Sequence, residues 1–137
     1  LLISASPFSV PVTDELLHVI VNEGYPGWMR VRAATLVRYL SSDVHRMRML
    51  TLVDHPVDDI ASPIIQGIGH MAPTPMADQA LRNALGKEWS MRERAKVYAL
   101  GMTGSDGLTA ILRAKDAPEW QRVAARWWVD HGSAIRT

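Results

Sequence analysis

The sequence predicts an all-α protein, an α-solenoid of about four stacked helical hairpins with a period of about 31 residues. Three observations lead there. Val19, Leu50, Leu81 and Leu112 stand 31 positions apart and are all aliphatic. Asp43, Thr74 and Ser105 keep the same spacing, and each is a residue type favoured at a helix N-cap. Short stretches also recur near multiples of the period. Met29-Arg30-Val31-Arg32-Ala33 returns 62 positions later as Met91-Arg92-Glu93-Arg94-Ala95, and Trp28 to Ala33 returns 92 positions later as Trp120-Gln121-Arg122-Val123-Ala124-Ala125. No stretch alternates with period two between hairpin turn residues, so nothing reads as strand.

The elements follow from this register. A helix over 13–23 starts on Thr13 with two acids behind it and stops at Gly24. The next, over 26–40, carries Val31, Ala34, Leu36, Val37 and Leu40 among Arg30, Arg32 and Arg38. Asp43 opens a helix over 43–54, with Met47, Leu50 and Val53 at three-residue spacing. Pro56 and the acids Asp58 and Asp59 start one over 56–69, where Pro63 fits only in the first turn or after a late start. Pro73-Thr74-Pro75 leads into 75–85, stopped by Gly86. A helix over 90–100 ends at Gly101, Ser105 caps 105–114, and Pro118-Glu119 begins a last helix to about 130 with Gly132 beyond. Short loops make neighbours antiparallel, and a lone pair cannot bury its apolar face whereas stacked pairs can. The expected organisation is an irregular N-terminal segment, 1–12, then a single repeat domain, 13–137. That domain has a half repeat at each end.

Composition narrows the chemistry. The chain has 137 residues, 47% hydrophobic and 21% charged, which is globular composition. With no cysteine, a disulfide scaffold, a thiol nucleophile and a Cys-ligated zinc site are excluded. That fits the cytosol, the favoured compartment, and also permits export. The net charge of +1 argues against a general polyanion binder. It conceals asymmetry: five basic and seven acidic residues precede position 69, ten and seven follow from there. No apolar run approaches the roughly 18 residues that cross a bilayer, so no membrane partner is expected. Leu1-Leu2-Ile3-Ser4-Ala5-Ser6 reads as a ragged end or domain-entry segment in preference to a signal-peptide tail, since no basic stretch is seen before it.

Trp89-Ser90-Met91-Arg92-Glu93-Arg94-Ala95, then Leu100-Gly101, then Asp106-Gly107-Leu108, resemble short bacterial HEAT-like repeats of the lyase type. Trp28 to Leu40 and Trp120 to Trp128 repeat the first part, while 57–86 departs most, with Ile60-Ala61-Ser62-Pro63 where the others carry Arg and Ala. The resemblance implies a right-handed solenoid that binds a macromolecule on its concave face, lined by the second helix of each pair. Those helices are 13–23, 43–54, 75–86 and 105–114. They offer Glu15, His18, Arg46, Arg48, Asp78, Arg82, Asn83, Thr109 and Arg113, a mixture of signs that suits a protein more than a phosphate backbone.

Catalytic signatures are weak. The five histidines form no His-x-x-x-His pair, and no His-Glu dipeptide of the kind used by di-iron HEAT-class hydroxylases occurs. Asp54, His55, Asp58 and Asp59 form the densest titratable cluster, a candidate ligand or acid/base set, although Asp58 and Asp59 also suit a helix N-terminus. There is no Gly-x-Ser-x-Gly, and 101–107 is glycine-rich without the Gly-Lys-Ser/Thr of a phosphate loop. No cofactor is therefore expected. Trp28, Trp89 and Trp120 stand at first-helix starts and read as packing residues between adjacent repeats. Trp127 and Trp128 lie about 100° apart on one helix, so one packs while the other is exposed or covers the end of the stack. An apolar end there implies a continuing chain or a docked partner.

These readings converge on a non-catalytic protein-interaction module, with Arg46, Asp78, Arg82, Arg113, Trp127 and Trp128 as candidate partner-binding residues. The alternatives are a nucleic-acid-binding domain, since alkylpurine DNA glycosylases have a related helical-repeat fold, or a subunit of a lyase-type enzyme. The arginines of the first helices read as packing or ion-pair elements between repeats.

Overall fold

A computed structural model of the chain describes residues 8–83 and 85–136, and every regular element among them is helical. The expectation for Leu1 to Ser6 lies outside the described residues. No described helix is long and apolar enough to cross a membrane.

Helix α1, Ser9–Val21, buries Ser9, Thr13, Leu17 and Ile20 on one stripe. It begins four residues before the expected cap. Pro11 falls in its first turn, where an N–H would have no intrahelical partner, so the proline does not delay the start. Thr13 is consequently buried inside the helix and caps nothing. Helix α2, Gly27–Leu40, follows Pro26 and buries Ala33, Ala34 and Val37.

The predicted helix over 43–54 is much shorter. A 3-10 turn, Asp43–His45, leads into α3, Arg46–Leu50. The cap is Ser42, not Asp43. Its hydroxyl accepts from the His45 backbone, and its own N–H donates to His45 Nδ1 at 3.1 Å. At the other end the Thr51 hydroxyl and backbone N–H both donate to the Arg48 carbonyl, which converts the last turn to i→i−3 bonding.

Helix α4, Asp58–Gly69, is buried nearly all round because it lies between α2 and α6. Pro63 sits in its second turn, later than expected, and supplies no N–H toward the exposed Asp59. Gly67 and Gly69 set the spacing to the neighbours. A side chain at 67 would meet the Arg38 backbone at 3.3 Å, and one at 69 the Ala99 backbone at 3.0 Å.

Thr74 caps α5, Pro75–Asn83, by accepting from the Ala77 N–H at 3.2 Å. Ser90 caps α6, Met91–Thr103, by accepting from the Glu93 N–H. Helix α6 runs past Gly101 and stops at Gly104, which adopts φ 69°, the left-handed conformation glycine tolerates best. Ser105 accepts from the Gly107 N–H at the start of α7, Gly107–Arg113. Helix α8, Glu119–Arg136, passes through the expected stop at Gly132, which is buried, and continues until Arg136 reaches the Gly101 carbonyl.

Four helices form a series in chain order, α2 on α4, α4 on α6 and α6 on α8. The others lie beside them, α1 on α2, α3 on α4, α5 on α6, and α7 on α8. One continuous apolar cluster runs through all of them, from Leu17 to Ala125. Leu81 is buried in it, and Val19, Leu50 and Leu112 are half-buried against it.

Candidate interaction groove

Helix α8 carries two apolar stripes. Gln121, Ala125 and Gly132 turn toward the interior. Trp120, Val123, Ala124, Trp127 and His131 recur at helical spacing on an adjoining face, with Trp128 on the boundary. That second stripe meets Trp89, Arg94, Val97 and Tyr98 from the start and flank of α6. Together they line an open groove of ≈ 640 Å³.

The rings hold one another in place. Trp89 and Trp120 meet edge to face at 5.4 Å and 76°, and the Trp120 indole donates to the Lys87 carbonyl at 3.1 Å. The Arg94 guanidinium lies 4.4 Å above the Trp89 ring, a cation–π contact on the groove wall. Tyr98 meets Trp128 at 5.8 Å and 78°, and its hydroxyl bonds His70 Nε2 at 2.8 Å. Trp127 is perpendicular to Trp128 at 5.1 Å and stacks on His131 at 4.9 Å. Partial desolvation and the nearby Arg38 charge hold the His70 imidazole below its ordinary pKa, so the neutral ring is favoured beside Tyr98.

No family model, curated protein or solved structure matches this chain. Its site is therefore read from its own residues.

The structure separates the expected site residues. Trp127 is 45% exposed, while Trp128 packs against the core, so the adjacent pair divides as expected. Both turn toward α6, and the exposed Arg126 lies outside the groove lining. Arg46 is engaged internally, pairing with Asp43 at 3.1 Å and donating to the Ala72 carbonyl at 2.8 Å. Arg82 pairs with Asp78 at 2.8 Å and reaches the Ser105 hydroxyl. Arg48 pairs with Asp14, and Asn83 accepts from Gln79. Arg113 stays exposed beside Asp106 and Thr109 in a shallow depression of α7.

The three tryptophans at first-helix starts differ in their packing. Trp28 is 64% exposed and Trp89 65%, so neither is a buried spacer, and only Trp120 packs against the core. Trp28 is the second residue of α2, and Trp89 stands just before the Ser90 cap of α6, where its ring meets Trp120 of α8.

The Asp54–Asp59 cluster is engaged by basic groups. Asp54 pairs with Lys96 Nζ at 2.9 Å, and Asp58 lies 3.8 Å from Arg92. His55 lies 3.4 Å from Arg30, and its Nδ1 accepts from the Val57 N–H. Desolvation, then the Arg30 charge, holds the His55 pKa below its ordinary value. Among the described residues no three His, Asp or Glu side chains converge as a metal site.

Two residues of the groove, Tyr98 and Arg94, carry no sequence signal singling them out, whereas Val123 carries one. The second stripe of α8 is such a signal, because an 18-residue helix with two apolar faces has one more than its core uses.

Proposed function

We propose that this chain is a non-catalytic protein-interaction module, built as a stack of HEAT-like helical hairpins, that docks its partner in the aromatic groove between α6 and α8. A recurring bond supports the repeat reading. Arg30, Arg92 and Arg122 stand near equivalent positions, and each donates to carbonyls that close a preceding helical segment. Their acceptors are Ile20, His55, and Ala114 with Lys115 respectively. A guanidinium there satisfies orphan carbonyls and complements the negative end of the helix. The consecutive packing of α2, α4, α6 and α8 supports the same reading.

One observation carries the interaction reading. Trp89, Val123 and Trp127 are 65%, 62% and 45% exposed within a single groove. Large apolar side chains gathered this way mark interaction sites, and tryptophan is prominent among interface anchors. The groove displaces the concave second-helix face as the favoured surface, because Arg46, Asp78 and Arg82 there are already paired within the chain. The non-catalytic reading rests on the titratable clusters, whose members serve as ion pairs within α6 and from it to the segment 54–58.

Photo-crosslinking tests this. With benzoylphenylalanine in place of Val123, one discrete protein adduct should form in the native cell, and none when the probe replaces Arg32, exposed on α2. An adduct from Arg113 alone would return docking to the second-helix face. A nuclease-sensitive adduct would overturn the protein-interaction reading.

A further inference from the structure

We infer that the groove's occupant is a proline-rich segment in the polyproline II conformation, with prolines spaced Pro-x-x-Pro; this rests on the protein-interaction reading above. The hydrogen-bonding character of the lining argues for it. Among the described residues, the indole N–H groups of Trp89, Trp127 and Trp128 meet no acceptor within the chain, whereas that of Trp120 is bonded to Lys87. The indole is a donor with no acceptor function. The groove is thus an apolar surface with spare donors, and Glu119 is its one carboxylate.

An occupant that matches it must be apolar, rich in free acceptors and poor in donors. The main chain of a helical partner fails this requirement, because its carbonyls are consumed by its own i→i−4 ladder. A polyproline II segment meets it. It makes no internal hydrogen bonds, so its carbonyls remain free, and each proline removes an N–H. It is also ordered before binding, which lowers the entropic cost.

Spacing agrees with chemistry. The near-perpendicular pairs Trp89/Trp120 and Trp127/Trp128 present two rigid aromatic corners along the groove. Trp120 and Trp127 are seven residues apart on α8, or roughly 10 Å along its axis. Residues i and i+3 of a polyproline II helix lie on one side about 9 Å apart. Two prolines of a Pro-x-x-Pro segment therefore match the spacing of the two ring pairs.

The test titrates the full chain with a synthetic decaproline peptide, following the five indole N–H signals by NMR. The signals of Trp89, Trp127 and Trp128 should shift on binding, and that of Trp28, exposed outside the groove, should not. Trp127→Phe keeps a ring and removes the donor; it should weaken binding roughly five- to tenfold, with the helical content unchanged by circular dichroism. Equal affinity in that variant, or a shift of Trp28 alone, would overturn the assignment. Tighter binding of an alanine-rich helical peptide or of oligo-dT than of decaproline would overturn it as well. If decaproline fails while the Val123 protein adduct persists, the proline assignment alone falls. If the adduct is lost too, the reading beneath it falls with it.

Discussion

The Trp128 indole lies directly on the backbone of Gly101, so close that a methyl group at 101 would fall inside the ring. This contact joins α6 to α8 and aims Trp128 and Trp127 along the groove. Gly101→Ala should therefore destabilise the fold by about 1–3 kcal/mol through overpacking, measured by urea unfolding. In the Trp128→Ala background the same substitution should cost much less, because the obstructing ring is gone. Additive costs would show that the contact does not govern the position of α8.

A second relationship predicts the strongest single effect. Lys96 is fully buried on α6, with Nζ 3.1 Å from the buried Glu93 and 2.9 Å from Asp54. Glu93 also accepts from the Gly86 N–H at 2.6 Å, tying the segment before α6 to that helix. Lys96→Met leaves Arg92, 3.3 Å away and partly exposed, to balance the buried Glu93 charge and should cost about 3 kcal/mol. Adding Glu93→Gln should recover part of that loss in the same unfolding assay. Asp54 is 65% exposed, so Asp54→Asn should cost under about 1 kcal/mol.

Stability should fall on mild acidification. His55 and His70 are both held below the ordinary value of 6.5, first by desolvation and then by Arg30 and Arg38 respectively. The unfolded chain therefore takes up these protons before the folded one does. The stabilisation is complete above about pH 6.5 and is lost as pH falls from there through each folded-state pKa. Urea midpoints should decline over that window, and His55→Gln with His70→Gln should flatten the decline. An unchanged slope in the double variant would assign the pH dependence elsewhere.

Capping residues can be ranked. Ser42→Ala removes the acceptor of a capping box and should cost about 1 kcal/mol. Asp43→Ala removes an exposed i,i+3 pair with Arg46 and should cost less than that, about 0.5 kcal/mol. Equal losses would mean that Asp43 does more than its exposed ion pair explains.

Much of the fold was legible because its signals are local. The all-helical class and the approximate place of every helix follow from periodicity, capping residues and turn composition. Thr74 and Ser105 act where their residue type puts them. Errors concentrate where a distant contact overrides a local rule. Gly101 and Gly132 resemble helix stops, yet both are buried inside helices, one beneath Trp128 and the other beside Arg136. Thr51 shortens the helix over 43–54 with a hydroxyl bond that competes for a helical carbonyl.

The candidate site was legible only in part. Trp127 and Trp128 stood out as an adjacent pair that one core could not absorb. The opposite wall did not, because Trp89 and Tyr98 reach the groove only once α6 lies against α8, some 30 residues along the chain. The sequence by itself determined which segments become helices and which side of each is apolar, since backbone propensity and side-chain period act over a few residues. Only the tertiary structure decided which of those sides stays open. Exposure of Trp28 and Trp89, internal pairing of Arg46 and Arg82, and the second stripe of α8 all depend on which surfaces meet across the chain.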